Sequence, residues 1–199
     1  MKKSLVLGTL LLGASAFGFE LTSSGIENGY IKEKYGQYGT ENIKGMPSLS
    51  LPLEWKGVPE GTKSFALVMQ DYDAIPVTGF SWIHWVAVIP GSYTKLEENA
   101  SLTNKDIIQG VNSWISSMGG LSKAEASHFG GPAPPDKEHT YEITIYALDK
   151  EIKLENGYYL NELYKEMEGH VLDSATLEGV YKTCLLYTSP SPRDRTRSR

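Results

Sequence analysis

Cysteine is almost missing: the 199 residues contain one, Cys184, fifteen positions before the last residue. A single cysteine cannot close an intrachain disulfide, so the fold rests on its core rather than on staples. Long apolar runs are missing too. The Leu5-to-Leu12 stretch falls well short of the roughly 20 residues a membrane-spanning helix needs. No serine sits in a nucleophile-elbow pattern. Without that serine or a body cysteine, hydrolysis through a covalent intermediate lacks its nucleophile. Positive charge is scarce, with 19 Lys and Arg against 24 Asp and Glu. Internal repeats are absent.

The two ends differ from the body. Lys2 and Lys3, the apolar run 5–12 and Ala14-Ser15-Ala16 have the layout of a secretory signal. Residues 1–16 are therefore read as a signal peptide cleaved after Ala16, which places the mature protein in the periplasm or outside the cell. An uncleaved anchor or a buried first strand is the alternative. No cysteine lies near the cleavage site, so a lipoprotein is not expected. Residues 184–199, from Cys184-Leu185-Leu186-Tyr187 through Ser191-Pro192-Arg193 to Arg199, resemble one reading frame of a transposase sequencing adapter. A natural basic tail is the alternative. The folded domain is then 17–183. Setting aside Lys2, Lys3, Arg193, Arg195, Arg197, Arg199 and Asp194 leaves 13 basic and 23 acidic residues, taking the formal net charge from −5 to −10. A body this acidic argues against nucleic acid or anionic membrane as the main partner, since both are polyanions.

Within the body, short aromatic and β-branched runs alternate with Gly, Pro and Asn, which indicates one mainly β domain. Residues 65–70, 81–89 and 141–148 are strands; in the last, Tyr141, Ile143, Ile145 and Ala147 share one face. Residues 49–55 are read as an edge strand because Pro52 cannot donate to a central ladder. Leu160, Leu163, Tyr164 and Met167 follow helical spacing, so 158–168 is expected to be an amphipathic helix stopped at Gly169. A second short helix is expected over 173–177. Residues 110–135 form a long polar connection, a length that in compact domains goes with function or mobility.

Two segments carry the chemistry. One runs Asp71-Tyr72-Asp73-Ala74-Ile75-Pro76 to Trp82-Ile83-His84-Trp85, and the other Gly130-Gly131-Pro132-Ala133-Pro134-Pro135 to His139-Thr140-Tyr141. On strict strand parity His84 shares a face with Trp82, Val86 and Val88, with Asp71 and Asp73 as its natural partners. His139 and Tyr141, two apart, point to one side. His84, His139 and Tyr141 can donate to an anion such as a phosphate monoester. The glycines supply unusual dihedrals and the prolines rigidity. The carboxylates orient imidazoles and favour their protonated form. A zinc site built from two His and two Asp is the rival reading.

Together these motifs resemble the phosphatidylethanolamine-binding proteins, in their bacterial Raf kinase inhibitor-like branch, over roughly residues 25–183. Asp71-Tyr72-Asp73-Ala74 with Pro76, Trp82-Ile83-His84-Trp85-Val86, Gly131-Pro132-Ala133-Pro134-Pro135 and His139-Thr140-Tyr141 carry the likeness, helped by Asn112-Ser113-Trp114 and Gly169-His170-Val171-Leu172. The resemblance implies a β-sandwich of two antiparallel sheets with C-terminal helices. It also implies a pocket for phosphate-type or phospholipid head groups, lined by Asp71, Asp73, His84, Pro132, His139 and Tyr141. No cofactor, metal or catalysis is expected, and the branch suggests a homodimer. Tyr72 stands where the family's first signature usually has Pro, and Ile75 is an insertion before Pro76. Residues 115–128 are longer than the family leads one to expect and can form a helix or a lid. His128 and His170 are read as structural. The other functional readings are a periplasmic protein-interaction module, such as a protease inhibitor, and a metal-dependent hydrolase in which His84 and Asp71 act as base.

Overall fold

The structure, a computed structural model, describes residues 18–183. The readings made on 1–16 and 184–199, cleavage after Ala16 included, lie outside the described residues. The elements in chain order are β1 (Glu20–Thr22), β2 (Ile26–Glu27), β3 (Tyr30–Ile31), β4 (Asn42–Ile43), β5 (Met46–Pro47), β6 (Leu53–Lys56), β7 (Ser64–Asp71), α1 (Ile75–Thr78), β8 (Trp82–Pro90), β9 (Lys95–Leu96), α2 (Ala100–Thr103), β10 (Ile108–Gln109), β11 (His139–Leu148), α3 (Leu160–Met167) and β12 (Val171–Tyr181).

A seven-stranded sheet in the order β10-β8-β7-β11-β12-β3-β2 faces a three-stranded sheet, β1-β6-β9. The pairings between these strands are antiparallel except the bridge between β12 and β3 at Val180 and Tyr30; outside the strands Gly110 also bridges Tyr158 in parallel. The long strands are two-sided. Phe65, Leu67 and Met69 of β7 join Ile143, Ile145 and Ala147 of β11 in a core against Trp55 and Leu53 of the smaller sheet. Ala66, Val68, Val86, Val88 and Leu148 face the other way, under Leu163 and Met167 of α3. Both faces are thus covered, which is why the runs of β7 and β8 are continuously apolar, while β11 keeps an alternation with Glu142 and Thr144 on its second face.

Two local expectations are corrected. β6 begins after Pro52 and is the middle strand of its sheet, paired with β1 and β9. The proline's missing N–H costs nothing there, because Pro52 lies outside the ladder. Residues 173–177 are strand, not helix: Ala175 pairs with Ile145 and Thr176 with Thr144. A long cross-strand ladder outweighs local helical spacing. The predicted helix before it is present as α3, and Gly169 beyond its end has φ +76°. Among the described residues no helix is long and apolar enough to cross a membrane.

Candidate functional site

The apolar row of β7 ends in a charge. Phe65, Leu67 and Met69 face the smaller sheet, and the next residue on that face is Asp71, only 3% exposed. Tyr141 pairs with Asp71 across the β7–β11 ladder and ends the parallel row of Ile143, Ile145 and Ala147. At this end of the sandwich lies a cavity of about 210 Å³ whose lining includes Asp71, Trp82, His84, Trp114, Ala133, Pro135, His139 and Tyr141. It is smaller than the ~300 Å³ at which pockets for drug-sized ligands begin, which suits a head group rather than a whole lipid.

His84 reaches this cavity by a break in parity. The β7–β8 register shifts between Met69 and Gln70: Met69 opposes Trp85 while Gln70 opposes Ile83. His84 is the extra residue, and such bulges re-aim side chains. It therefore lines the cavity with Trp82, while Val86 and Val88 pack on the opposite face. Its partner is not a carboxylate. His84 Nδ1 donates to the Gly130 carbonyl at 2.6 Å, and the Gly130 N–H donates back to the His84 carbonyl at 2.8 Å. Burial lowers the His84 pKa, against the opposing pull of the Gly130 carbonyl. With Nδ1–H given to Gly130, the neutral ring presents a bare Nε2. That atom is buried without a partner, as is the Tyr141 hydroxyl. The two rings meet edge to face with centroids 4.9 Å apart. Burial first, then Asp71, pushes the Tyr141 hydroxyl far up.

His139 is fully engaged. Its Nδ1 lies 2.7 Å from Asp71 Oδ2 and its Nε2 lies 2.9 Å from Asp136 Oδ1. The hydrogen bond from His139 holds the Asp136 carboxyl below its ordinary value. Asp71 also accepts from the Ala74 N–H at 3.0 Å, which closes the turn into α1. Asp73 lies outside the cavity lining. It accepts from the Thr140 N–H at 2.9 Å and faces Lys137 at 3.9 Å, so it ties the turn to the start of β11. Pro132 is buried behind the loop, where its carbonyl accepts from the Gln37 N–H at 2.8 Å. The structure thus gathers Asp71, His84, His139 and Tyr141 at one cavity and sets Asp73 and Pro132 just behind it.

The glycines serve close approach, not unusual dihedrals: neither Gly130 nor Gly131 has a positive φ. A Cβ on Gly131 would sit 2.1 Å from the Tyr35 carbonyl oxygen, and one on Gly130 2.8 Å from Trp114 Cδ1. The 115–128 segment carries no helix beyond the end of a 3-10 turn at Ser113–Ile115, but Trp114 and Met118 form one wall. Trp114 stands edge to face against Trp82 at 6.0 Å, and Trp82 stacks on Phe80 at 5.8 Å. These aromatic walls, and Asp136, were missed in the sequence. Trp82, two residues before His84, and Asp136, three before His139, carried a spacing signal; Trp114 carried only its place in the Asn112-Ser113-Trp114 motif. Among the described residues no three His, Cys, Asp or Glu side chains converge as a metal-binding group.

Residues 22–182 match the family described as phosphatidylethanolamine-binding protein. The chain belongs to that family. Protein YxkA of Bacillus subtilis is 46% identical over 156 residues, covering 76% of this chain and 93% of that one. YbcL of Escherichia coli is 35% identical over 154 residues, covering 74% and 78%. The crystal structure of YbcL, described as a new member of the mammalian phosphatidylethanolamine-binding family, superposes with TM-score 0.67 at 28% identity, covering 83% of this chain and 98% of that one. The phosphatidylethanolamine-binding protein homologue CT736 of Chlamydia trachomatis gives TM-score 0.67 at 30% identity, covering 83% and 97%. Within this family fold, the cavity sits where the signature segments of the sequence meet.

Proposed function

We propose that the protein binds a phosphate-type or phospholipid head-group anion at the β7–β8–β11 cavity and acts as a non-enzymatic binding protein. The supporting observation is the pair of buried, unpartnered polar atoms, His84 Nε2 and Tyr141 Oη, in residues that line it. Buried polar atoms left unpaired cost free energy, and a ligand oxygen that bonds both recovers it. The Tyr141 hydroxyl donates. The His84 Nε2 shares one proton with the anion, either by taking it up or by accepting from a protonated phosphate oxygen. Both routes leave one proton in the contact. For a phosphate monoester the complex forms with the monoanion, and affinity falls as pH rises past its second pKa of about 6; a phosphodiester head group has no such proton, so there His84 itself carries it. His139, held between two carboxylates, fixes Asp71 and the loop rather than meeting the anion. This also supports binding over catalysis, because the three carboxylates near the cavity, Asp71, Asp73 and Asp136, are already committed to internal hydrogen bonds.

The site of action we propose is outside the cytoplasm, on the strength of Lys2, Lys3, the apolar run and Ala14-Ser15-Ala16. Fractionation of cells expressing the full chain tests this: a wholly cytoplasmic product rejects export. The binding reading is tested by titrating the protein with phosphoethanolamine and inorganic phosphate while following histidine NMR signals. Saturable movement of His84 is the expected result. A His84 signal unmoved at millimolar ligand sinks the reading.

A further inference from the structure

A larger cleft, of about 530 Å³, lies at the β10 edge of the main sheet and shares no lining residue with the cavity above. Its wall comes from three loops: Asn104 and Lys105 from the first, Lys123 and His128 from the second, Asn156 and Gly157 from the third. No carboxylate lines it, although acidic residues outnumber basic ones in the chain 24 to 19. Seven lysines of the described residues pair with carboxylates; neither Lys105 nor Lys123 is among them. Lys105 has only a long contact, 3.4 Å, to the Leu102 carbonyl. Lys123 is pre-positioned. Its ammonium sits 5.0 Å from the centre of the Tyr159 ring, and its Cε lies 3.1 Å from where a Cβ on Gly157 would stand. Gly157, at φ +89°, is a position that strains any side chain, and a Cβ there would also press on that stem. His128 Nδ1 is buried without a partner, and burial lowers the His128 pKa, against the opposing pull of the Ser101 backbone and with a smaller push from Lys105.

We propose that this cleft is a second ligand site, for a small hydroxylated anion of the sugar-phosphate class. The anionic group lies between Lys105 and Lys123. Two ammonium groups brought to one cleft without a counter-charge repel each other, and a dianion removes that repulsion. The amide nitrogens of Asn104 and Asn156 are left to meet hydroxyls, since their oxygens already accept from the backbone N–H groups of Asp106 and Gln109. The Ser127 hydroxyl donates to the Lys123 carbonyl at 2.7 Å and still has lone pairs to offer.

The four histidines of the chain make one experiment sufficient. His84 and His139 report the first cavity, His128 the cleft, and His170, exposed and bonded to Asp149, serves as a surface control. The full chain, labelled at its histidines, is titrated with inorganic phosphate, then with glucose 6-phosphate and with glucose, at constant ionic strength. The expected result is a saturable His128 shift with phosphate, tighter with glucose 6-phosphate and absent with glucose. Lys105→Gln with Lys123→Gln should weaken the His128 response about tenfold or more, the loss expected when charge-assisted contacts are removed, and leave His84 unchanged. A His128 signal that does not move, or moves equally in the double variant, overturns the proposal. So does a shift shared by His170. Failure of the first cavity shows separately, in a silent His84.

Discussion

An unpaired hydroxyl buried against an imidazole weakens a fold, and Tyr141 carries one. Replacing it separates folding from binding. Tyr141→Phe keeps the ring that ends the Ile143 and Ile145 row and removes only the orphan oxygen. Its stability should equal that of the wild type or exceed it by up to about 1 kcal/mol. Its phosphate affinity should fall about tenfold, since a charge-assisted bond is lost. Thermal melts with and without phosphate measure both effects; a destabilised variant would mean that the hydroxyl has a partner in the folded protein. His84 gives a second test. Burial lowers its folded-state pKa, while the unfolded chain keeps about 6.5. As pH falls, the unfolded state takes up the proton first, so the wild type loses stability below about 6.5 until the folded value is passed. His84→Gln cannot titrate. The urea-midpoint gap between wild type and variant should therefore narrow as pH falls, and a gap independent of pH would reject a neutral buried His84.

Elements explain what the sequence made legible. Of the four long strands, β7 and β8 were evident because their apolar runs are fixed by burial on both faces, and β11 because its residues alternate; β12, the longest, was not. The bulge at His84 was not, because a bulge is a property of two strands in register, and only the pairing of Gln70 with Ile83 reveals it. Strict parity therefore kept Trp82 beside His84 correctly but gave it two wrong neighbours, Val86 and Val88, and carboxylate partners in place of the Gly130 carbonyl. The helix expected at 173–177 failed for a related reason: its spacing is local, while its ladder to β11 is not. The Gly130-Gly131 loop was recognisable as rigid, but the cause lay in distant segments. The Gly131 N–H donates to the Pro47 carbonyl at 2.8 Å while the Tyr35 carbonyl blocks any side chain. Gly131→Ala must displace backbone and should cost about 1–3 kcal/mol. Gly130→Ala meets the Trp114 side chain, which can turn aside, and should cost less. Chemical denaturation of the two variants checks the order; equal costs would show that the loop yields as a whole.

At the scale of the molecule, charge distinguishes the two sites. Between residues 17 and 183 every Lys or Arg position is Lys, and acidic residues exceed these by ten. The first cavity is lined by no lysine, so in the binding reading proposed above an anion approaches it against the field of the whole domain, and the contacts proposed to hold it are a hydroxyl and an imidazole at short range. Salt screens the long-range repulsion within about 10 Å at 0.1 M and leaves buried contacts nearly untouched. Phosphate affinity read at His84 should therefore stay level or rise as potassium chloride is added. The cleft binds through two exposed ammonium groups, whose attraction the same salt screens. Affinity read at His128 should fall. Opposite slopes in one titration series would mean that local donors govern one site and net local charge the other. Parallel falling slopes would instead place lysine charge in the field of both, and Lys137, 3.9 Å from Asp73 beside the first cavity, would be the residue to substitute next.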